Sequence, residues 1–336
     1  MFERLGRTYT EKEFDELCFE FGIELDDVTS EAQMEQAKKG VEAEIGEGEE
    51  VLYKIDIPAN RYDLLCLEGI ARALNVFLGR VPVPAFRLTG PPRETMTVKP
   101  ETMLIRPFVV CAVLRDVTFT PESYASFIDL QDKLHTNICR QRTLVAIGTH
   151  DLDTLQGPFT YEALPPQEIS FVPLKQERKF TCAELMEFYK ADQKLKKFLH
   201  ILEGSPVFPV LYDAKRTVLS FPPIINGAHS AITLDTKNVF IECTATDYTK
   251  ASIVLNTVCA MFSEYCAQPF AIEPVRVVDA EGGHTVTPDL SEAEFEVEIA
   301  KVNTAVGHAF QAEEVAGMLG KMQLASRVAG EGRVAV

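Results

Sequence analysis

Apolar residues along this 336-residue chain recur with periods that mark short strands and helices, each closed by its own punctuation. Thr10 and Glu13 form a capping box, and Phe14, Leu17, Cys18 and Phe21 keep helical spacing until Gly22 ends the run. Residues 29–50 are polar, Glu-rich and broken by glycine, which predicts a loop. Residues 51–57 alternate as a strand, and Pro58, Ala59 and Asn60 stop it. Asp63 is then placed to cap a helix whose stripe is Leu64, Leu67, Ile70, Ala71, Leu74 and Leu78. A Pro- and Gly-rich stretch over 82–100 marks a first domain boundary.

Beyond it, residues 108–114 read as a strand. Thr120-Pro121 opens a helix carrying Phe127, Ile128, Leu134 and Ile138, with proline where its missing N–H is harmless. Residues 143–149 form a strand that runs into His150, and a second capping box, Thr181 to Glu184, starts a helix reaching about residue 199. Past Glu273-Pro274 the pattern weakens to a strand over 295–299 and two short helices over 301–307 and 312–322. The alternation predicts an α+β protein in three parts: a small N-terminal α/β domain over 1–95, a central mixed α/β domain over 96–272, and the start of a helical domain over 273–336.

The stretch from 218 to 250 carries the chemistry. Val239, Ile241 and Cys243 point one way from a strand, while Phe240, Glu242 and Thr244 point the other. A carboxylate sharing a face with an aromatic ring must be hydrogen-bonded, paired, neutralised or wet. Asn226, Gly227, His229 and Ser230 precede this strand, and Thr244, Thr246, Asp247 and Thr249 follow it, so connectivity alone brings two polar clusters to sheet ends. Asp247 also sits where an N-cap belongs, before Ile253, Val254, Val258 and Phe262.

Composition narrows the class. The chain is 46% apolar, has no apolar run near 20 residues and lacks a basic-plus-apolar leader, which reads as soluble and cytoplasmic, with no membrane partner. Eight cysteines stand singly with no C-x-x-C pair, so no metal site is expected and the thiols read as small buried apolar groups. The net charge of −17 is uneven: residues 1–50 hold 16 acids and 5 bases, residues 273–336 hold 11 and 5, and the middle holds 23 of each. Basic groups at Arg140 and Arg142, at Lys175, Arg178 and Lys179, and at Lys194, Lys196 and Lys197 could touch a phosphate backbone, or could be solvated faces. No Walker-type loop, G-x-S-x-G elbow or H-E-x-x-H motif occurs.

Four segments recur in order with a known pattern: LGRTYTEKEFDELCFEFGIELD at 5–26, DIPANRYDLLCLEGIARAL at 56–74, CRQRTLVAIGTHDLDTLQGPFTY at 139–161, and PPIINGAHS with FIECTATDYTKA within 222–251. Together they resemble the β subunit of phenylalanyl-tRNA synthetase of the archaeal and eukaryotic type. The resemblance implies the N-terminal part of that subunit, with an editing domain in the middle and a DNA-binding-like helical domain beginning at the end. It implies hydrolysis of tyrosine wrongly attached to tRNA-Phe, inside an α2β2 ligase that uses ATP and Mg²⁺ elsewhere; no cofactor is expected in this part. A noncatalytic tRNA-binding or assembly scaffold is the rival reading.

A pocket shaped for Phe rejects an added hydroxyl by only roughly a hundredfold, about 2.7 kcal/mol, whereas a second pocket that hydrogen-bonds the hydroxyl penalises Phe instead. By resemblance, Glu242 reads that hydroxyl; the competing reading is a structural carboxylate held by backbone amides. Gly227 leaves room for the ring or merely serves a turn. Asn226, Ser230, Thr244 and Thr246 are expected to contact the substrate, and Leu219 and Pro223 to wall the pocket. His150 joins them, although bacterial relatives place an editing histidine two residues further from the Asp-Leu-Asp that follows. Asp247, Thr249 and His229 are the expected catalytic groups, and Lys194, Lys196, Lys197, Arg140 and Arg142 the expected tRNA contacts.

Overall fold

The computed structural model describes residues 1–38 and 51–336 and divides them into two units, 1–83 together with 293–336, and 84–292. In the first unit the helix Glu11–Phe21 begins as its capping box requires. Glu13 N–H donates to Thr10 Oγ1 at 3.3 Å, Thr10 N–H donates back to the Glu13 carboxylate at 2.8 Å, and Gly22 ends the helix in the left-handed region at φ 98°. Phe14, Leu17, Cys18 and Phe21 pack against Leu64, Ile70 and Leu74, the last two on the helix Leu67–Phe77. That helix is capped by Cys66 without a side-chain bond. Asp63 instead pairs with Arg61 at 2.8 and 2.9 Å around a 3-10 turn.

The loop expected over 29–50 begins too early. Glu24–Thr29 is a strand antiparallel to Leu52–Asp56, and Glu31–Lys38 is a helix; the rest of the expected loop lies outside the described residues. A bulge between Leu25 and Asp27 breaks the alternation that would have betrayed the strand. In the same unit, the expected helices near the C-terminus are Ile299–Val306 and Ala312–Lys321. They share a small core of Ile299, Val315 and Val334 with a three-stranded sheet of Glu296–Glu298, Arg333–Ala335 and Arg327–Gly330, so residues 293–336 are mixed rather than helical.

The second unit is built on an eleven-stranded sheet. Its main path runs Ile225–Asn226, Val218–Phe221, Phe208–Tyr212, Phe159–Leu164, Glu94–Val98, Ala271–Val278, Phe108–Leu114, Val239–Ala245 and Val145–Asp151. The expected boundary between 272 and 273 falls inside Ala271–Val278, and that between 95 and 96 falls inside Glu94–Val98; these two strands pair in parallel, so the unit extends to residue 292. The sheet curls on itself. Ser220, near one end of the path, hydrogen-bonds Glu242, near the other, and Asn226 Nδ2 reaches the Thr149 carbonyl across the last gap at 3.4 Å. Inside the curl Phe159 stacks on Phe240 at 4.5 Å among Leu211, Leu219 and Val275.

The helix Pro121–Thr136 starts at Thr120 with Pro121 at its first position, and its Phe127 meets Phe262 of the helix Tyr248–Phe262 edge-on at 4.7 Å. The helix expected from 181 to about 199 is cut short at Cys182–Phe188. Asp192 Oδ1 then takes the N–H groups of Lys194 and Leu195 at 2.8 Å each, a local turn that competes with helix. All eight cysteines are buried and unbridged, and burial pushes the Cys66 thiol up to about 12. Among the described residues no helix is long and apolar enough to cross a membrane.

Candidate functional site

A sheet that curls almost shut leaves a seam where its two edges meet, and here the seam is a cavity of about 450 Å³. One wall is the edge strand at Ala146, Ile147 and Thr149, the second runs from Ser220 to Asn226, and the third is the helix face of Ile128, Gln131 and His135. The walls are mainly apolar, as small-molecule pockets are, with a few polar groups converging.

Glu242 is the buried acid of that polar set, with 1% of its surface exposed, and Ser220, Thr149, His135 and Gln131 are buried with it. It sits in the middle of Val239–Ala245, every residue of which is buried, and lies opposite Gly148 on the neighbouring strand. Gly148 makes its position possible. A Cβ there would overlap Glu242 Oε1, lie 2.7 Å from its Cδ and lie 3.0 Å from His150 Nε2. Glu242 Oε1 accepts from Ser220 Oγ at 2.7 Å and stands 3.7 Å from His150 Nε2. His150 is held from behind, its Nδ1 being 2.9 Å from Ser230 Oγ. Among the described residues Glu242 Oε2 has no hydrogen-bond partner, which costs about 1–3 kcal/mol or more until something fills the need.

His135 and Arg142 line the same cavity. Ile147 N–H donates to His135 Nε2 at 2.9 Å, which leaves the ring proton on Nδ1, without a partner among the described residues. Burial, with the Arg142 and Arg106 charges nearby, holds the His135 pKa well below its usual value, so the ring is neutral. Arg142 ends a run of three left-handed residues, with φ 46° at Arg140, 53° at Gln141 and 66° at Arg142. Its guanidinium donates to the carbonyls of Pro223 and Ile224 at 3.2 Å each and lies over the Phe198 ring at 4.3 Å, bridging the two edges. The buried Arg106 fixes this turn from below by donating to the carbonyls of Arg142, Thr143 and Thr244 at 3.3, 3.1 and 2.8 Å.

The expected site residues therefore separate. Glu242, Asn226, Pro223 and Arg142 line the cavity, while His150 and Ser230 stand directly behind Glu242. Gly227 is needed by the backbone rather than by a ring, since a Cβ on it would come within 2.5 Å of the Val218 carbonyl oxygen. Leu219 packs in the core beside Phe240, and its neighbours Ser220 and Phe221 form the wall instead. Thr244 is buried beneath the Arg142 turn, its carbonyl taken by Arg106.

The three expected catalytic groups do not assemble with the cavity. His229 is exposed and hydrogen-bonds the Thr154 carbonyl at 2.9 Å, just past the strand end that pairs with Val239. Asp247 caps the helix Tyr248–Phe262 by accepting from Lys250 N–H at 3.0 Å, past the opposite end at Ala245. Seven strand residues separate them by roughly 20 Å, too far to serve one ester. Thr249 is exposed on that helix, and Thr246 turns its hydroxyl to the Thr143 carbonyl. Lys194, Lys196 and Lys197 are exposed, Arg140 likewise, and Lys197 lies 4.9 Å from the Phe198 ring that also carries Arg142. Gly148, Ser220 and His135 are the contributors that sequence reasoning missed; a serine inside the apolar run VLSF was the available signal for one of them. Among the described residues no three His, Cys, Asp or Glu side chains gather closely enough to hold a metal ion.

Known proteins resemble both units. The model of the Phe-tRNA synthetase beta subunit B1 domain matches residues 1–80, and that of the B3/4 domain matches residues 112–269. The phenylalanine–tRNA ligase beta subunit, cytoplasmic, of Arabidopsis thaliana is 61% identical over 327 residues, covering 96% of this chain and 55% of the relative. The Homo sapiens phenylalanine–tRNA ligase beta subunit is 52% identical over 334 residues, covering 99% and 57%. The chain thus spans little more than half the length of the curated relatives it matches. An N-terminal fragment of the phenylalanyl-tRNA synthetase beta subunit from Pyrococcus horikoshii superposes with a TM-score of 0.85 at 30% identity, covering 99% of this chain and 89% of the fragment. Likeness on that scale, over sequence and fold together, means that the chain belongs to the phenylalanyl-tRNA synthetase β-subunit family.

Proposed function

We propose that the seam cavity is an editing site, in which tyrosine esterified to tRNA-Phe is hydrolysed, within a cytoplasmic ligase whose aminoacylation chemistry, ATP, Mg²⁺ and α subunit belong to the rest of the assembly. The observation that carries this reading is Glu242: a buried carboxylate with one oxygen fixed by Ser220 and the other unpartnered among the described residues, in a cavity lined by Phe221, Pro223 and Ile224. A tyrosine hydroxyl satisfies the free oxygen, whereas a phenylalanine ring buries it without a donor. Sites of this kind separate substrates far more sharply than a hydrophobic pocket separates an added hydroxyl.

An ester is already activated, so oriented water and a polarised carbonyl suffice to hydrolyse it. The tRNA would approach past Arg142 and Phe198, beside the exposed Lys194, Lys196, Lys197 and Arg140. In this reading Asp247 and Thr249 serve the helix start, not the reaction. The test is deacylation of Tyr-tRNA-Phe by the 336-residue chain and by Glu242→Ala. The reading expects clearance by the first and loss of about a hundredfold in the second; a folded variant with full activity would remove Glu242 from the site, and an inactive wild-type chain would favour a tRNA-binding scaffold.

A further inference from the structure

The seam also exposes an edge of the sheet. Val145–Asp151 is the last strand of its path and, among the described residues, pairs on one side only, with Val239–Ala245. In an antiparallel ladder the N–H and C=O of one residue point the same way and successive residues alternate. Three bonds fix which way each residue of this strand points. Ile147 N–H goes to His135, the Thr149 carbonyl takes Asn226 Nδ2, and Asp151 N–H goes to the Ser230 carbonyl, all on the open side. The Ile147 carbonyl and the Thr149 N–H therefore point into the seam as well. Neither has a hydrogen-bond partner among the described residues, though both residues line the cavity and are buried to 8% and 5% exposure.

A carbonyl at one residue and an N–H two residues on, separated here by Gly148, is the pair of groups that a single residue engages when it bridges to a strand in parallel. We infer that this free edge, the Ile147 carbonyl and the Thr149 N–H, is the subsite for the main chain of an α-aminoacyl ester, its ammonium donating to the first and its carbonyl oxygen accepting from the second. The inference rests on the editing reading above. It also explains the cavity's arrangement: a residue bridged opposite Gly148 carries its side chain on Gly148's own face, where the space a Cβ would occupy is filled by the Glu242 carboxylate. His135 and Asn226 occupy the edge positions on either side, so the open slot is one residue long.

The slot gives Thr149 N–H a part in the reaction. When water adds to the acyl carbon, the carbonyl oxygen gains negative charge, and a fixed backbone donor in a dry seam stabilises it. The acyl C–O bond then breaks, and the proton lost by the water goes to the departing ribose oxygen, giving tyrosine and free tRNA.

Binding of small probes to the 336-residue chain, measured by calorimetry, tests the subsite. Tyrosinamide carries both main-chain groups, tyramine lacks the carbonyl, and 3-(4-hydroxyphenyl)propionamide lacks the amine. Each deletion is expected to weaken binding at least about tenfold. Thr149→Pro removes the N–H from an open edge without touching a ladder bond. It should weaken tyrosinamide by a similar factor and leave tyramine unchanged, while Thr149→Val, which keeps the N–H, binds like the wild type. If the proline variant fails to fold, the probe series alone decides. Equal affinity for all three probes, or no measurable binding of tyrosinamide to the folded chain, overturns the subsite. Failure of the editing reading looks different: phenylalaninamide then binds as tightly as tyrosinamide, while the dependence on amine and carbonyl persists.

Discussion

Two polar clusters bracket the strand Val239–Ala245, and they have opposite fates. The one that follows it, Thr246 to Thr249, is used by the backbone: Asp247 caps a helix and Thr246 meets a carbonyl. Of the one that precedes it, Asn226 stands at the seam and Ser230 holds the His150 ring beside a carboxylate that retains an unpartnered oxygen among the described residues. Composition does not distinguish the two. The difference lies in where the polar groups are aimed: those after the strand turn to a helix start and a loop carbonyl, whereas those before it gather round a carboxylate with one oxygen still to satisfy.

After Glu242 itself, the largest effect expected of this contrast is at Gly148. Gly148→Ala puts a methyl group where Glu242 Oε1 lies, so the carboxylate must move. The preference for Tyr- over Phe-tRNA-Phe should fall at least about tenfold, with a stability loss of about 1–3 kcal/mol from overpacking. Deacylation assays with both esters, alongside thermal melts, check this; an unaltered preference would mean that the position of Glu242 does not matter.

A second, smaller effect concerns pH. His135 is held neutral with its pKa well below the usual 6.5, so below that value the unfolded chain takes up a proton that the folded chain does not. Stability is therefore complete above about pH 6.5 and falls as pH drops below it, by up to about 1.4 kcal/mol per unit from this ring. Urea unfolding at pH 7.5, 6.0 and 5.0 should show a shallower pH dependence for His135→Gln than for the wild type, and identical slopes would refute the assignment.

The smallest effect is expected on the other side of the strand. Asp247→Ala should cost about 1 kcal/mol through the lost helix cap, while leaving the preference between the two esters unchanged. A variant of normal stability that no longer prefers the tyrosyl ester would return Asp247 to the site.

Much of this architecture was legible because it is local. Thr10 with Glu13, Thr181 with Glu184, and Thr120-Pro121 each start a helix as their chemistry requires, and the parity that puts Glu242 beside Phe240 holds. What stayed hidden is non-local. Nothing near Ser220 in the sequence announces that its strand curls round to meet Glu242, and nothing near Gly148 says whose side chain fills the space it leaves. Glu24–Thr29 escaped because acidic residues and a bulge mask its alternation, and Ala271–Val278 was divided because Pro274 reads as a break, although in the sheet it lies opposite Ala112. His229 and Asp247 were grouped into one site for a related reason: adjacency to one strand does not reveal that they flank its opposite ends.

The central claim is that Glu242 inverts the selectivity of a hydrophobic pocket. It is tested most directly by the ratio of deacylation rates on Tyr-tRNA-Phe and Phe-tRNA-Phe, measured for the wild-type chain and for Glu242→Ala under one set of conditions. The account predicts a ratio of about a hundred or more for the wild type, collapsing to near one in a variant that still melts cooperatively. A well-folded Glu242→Ala chain that keeps the wild-type ratio would contradict it.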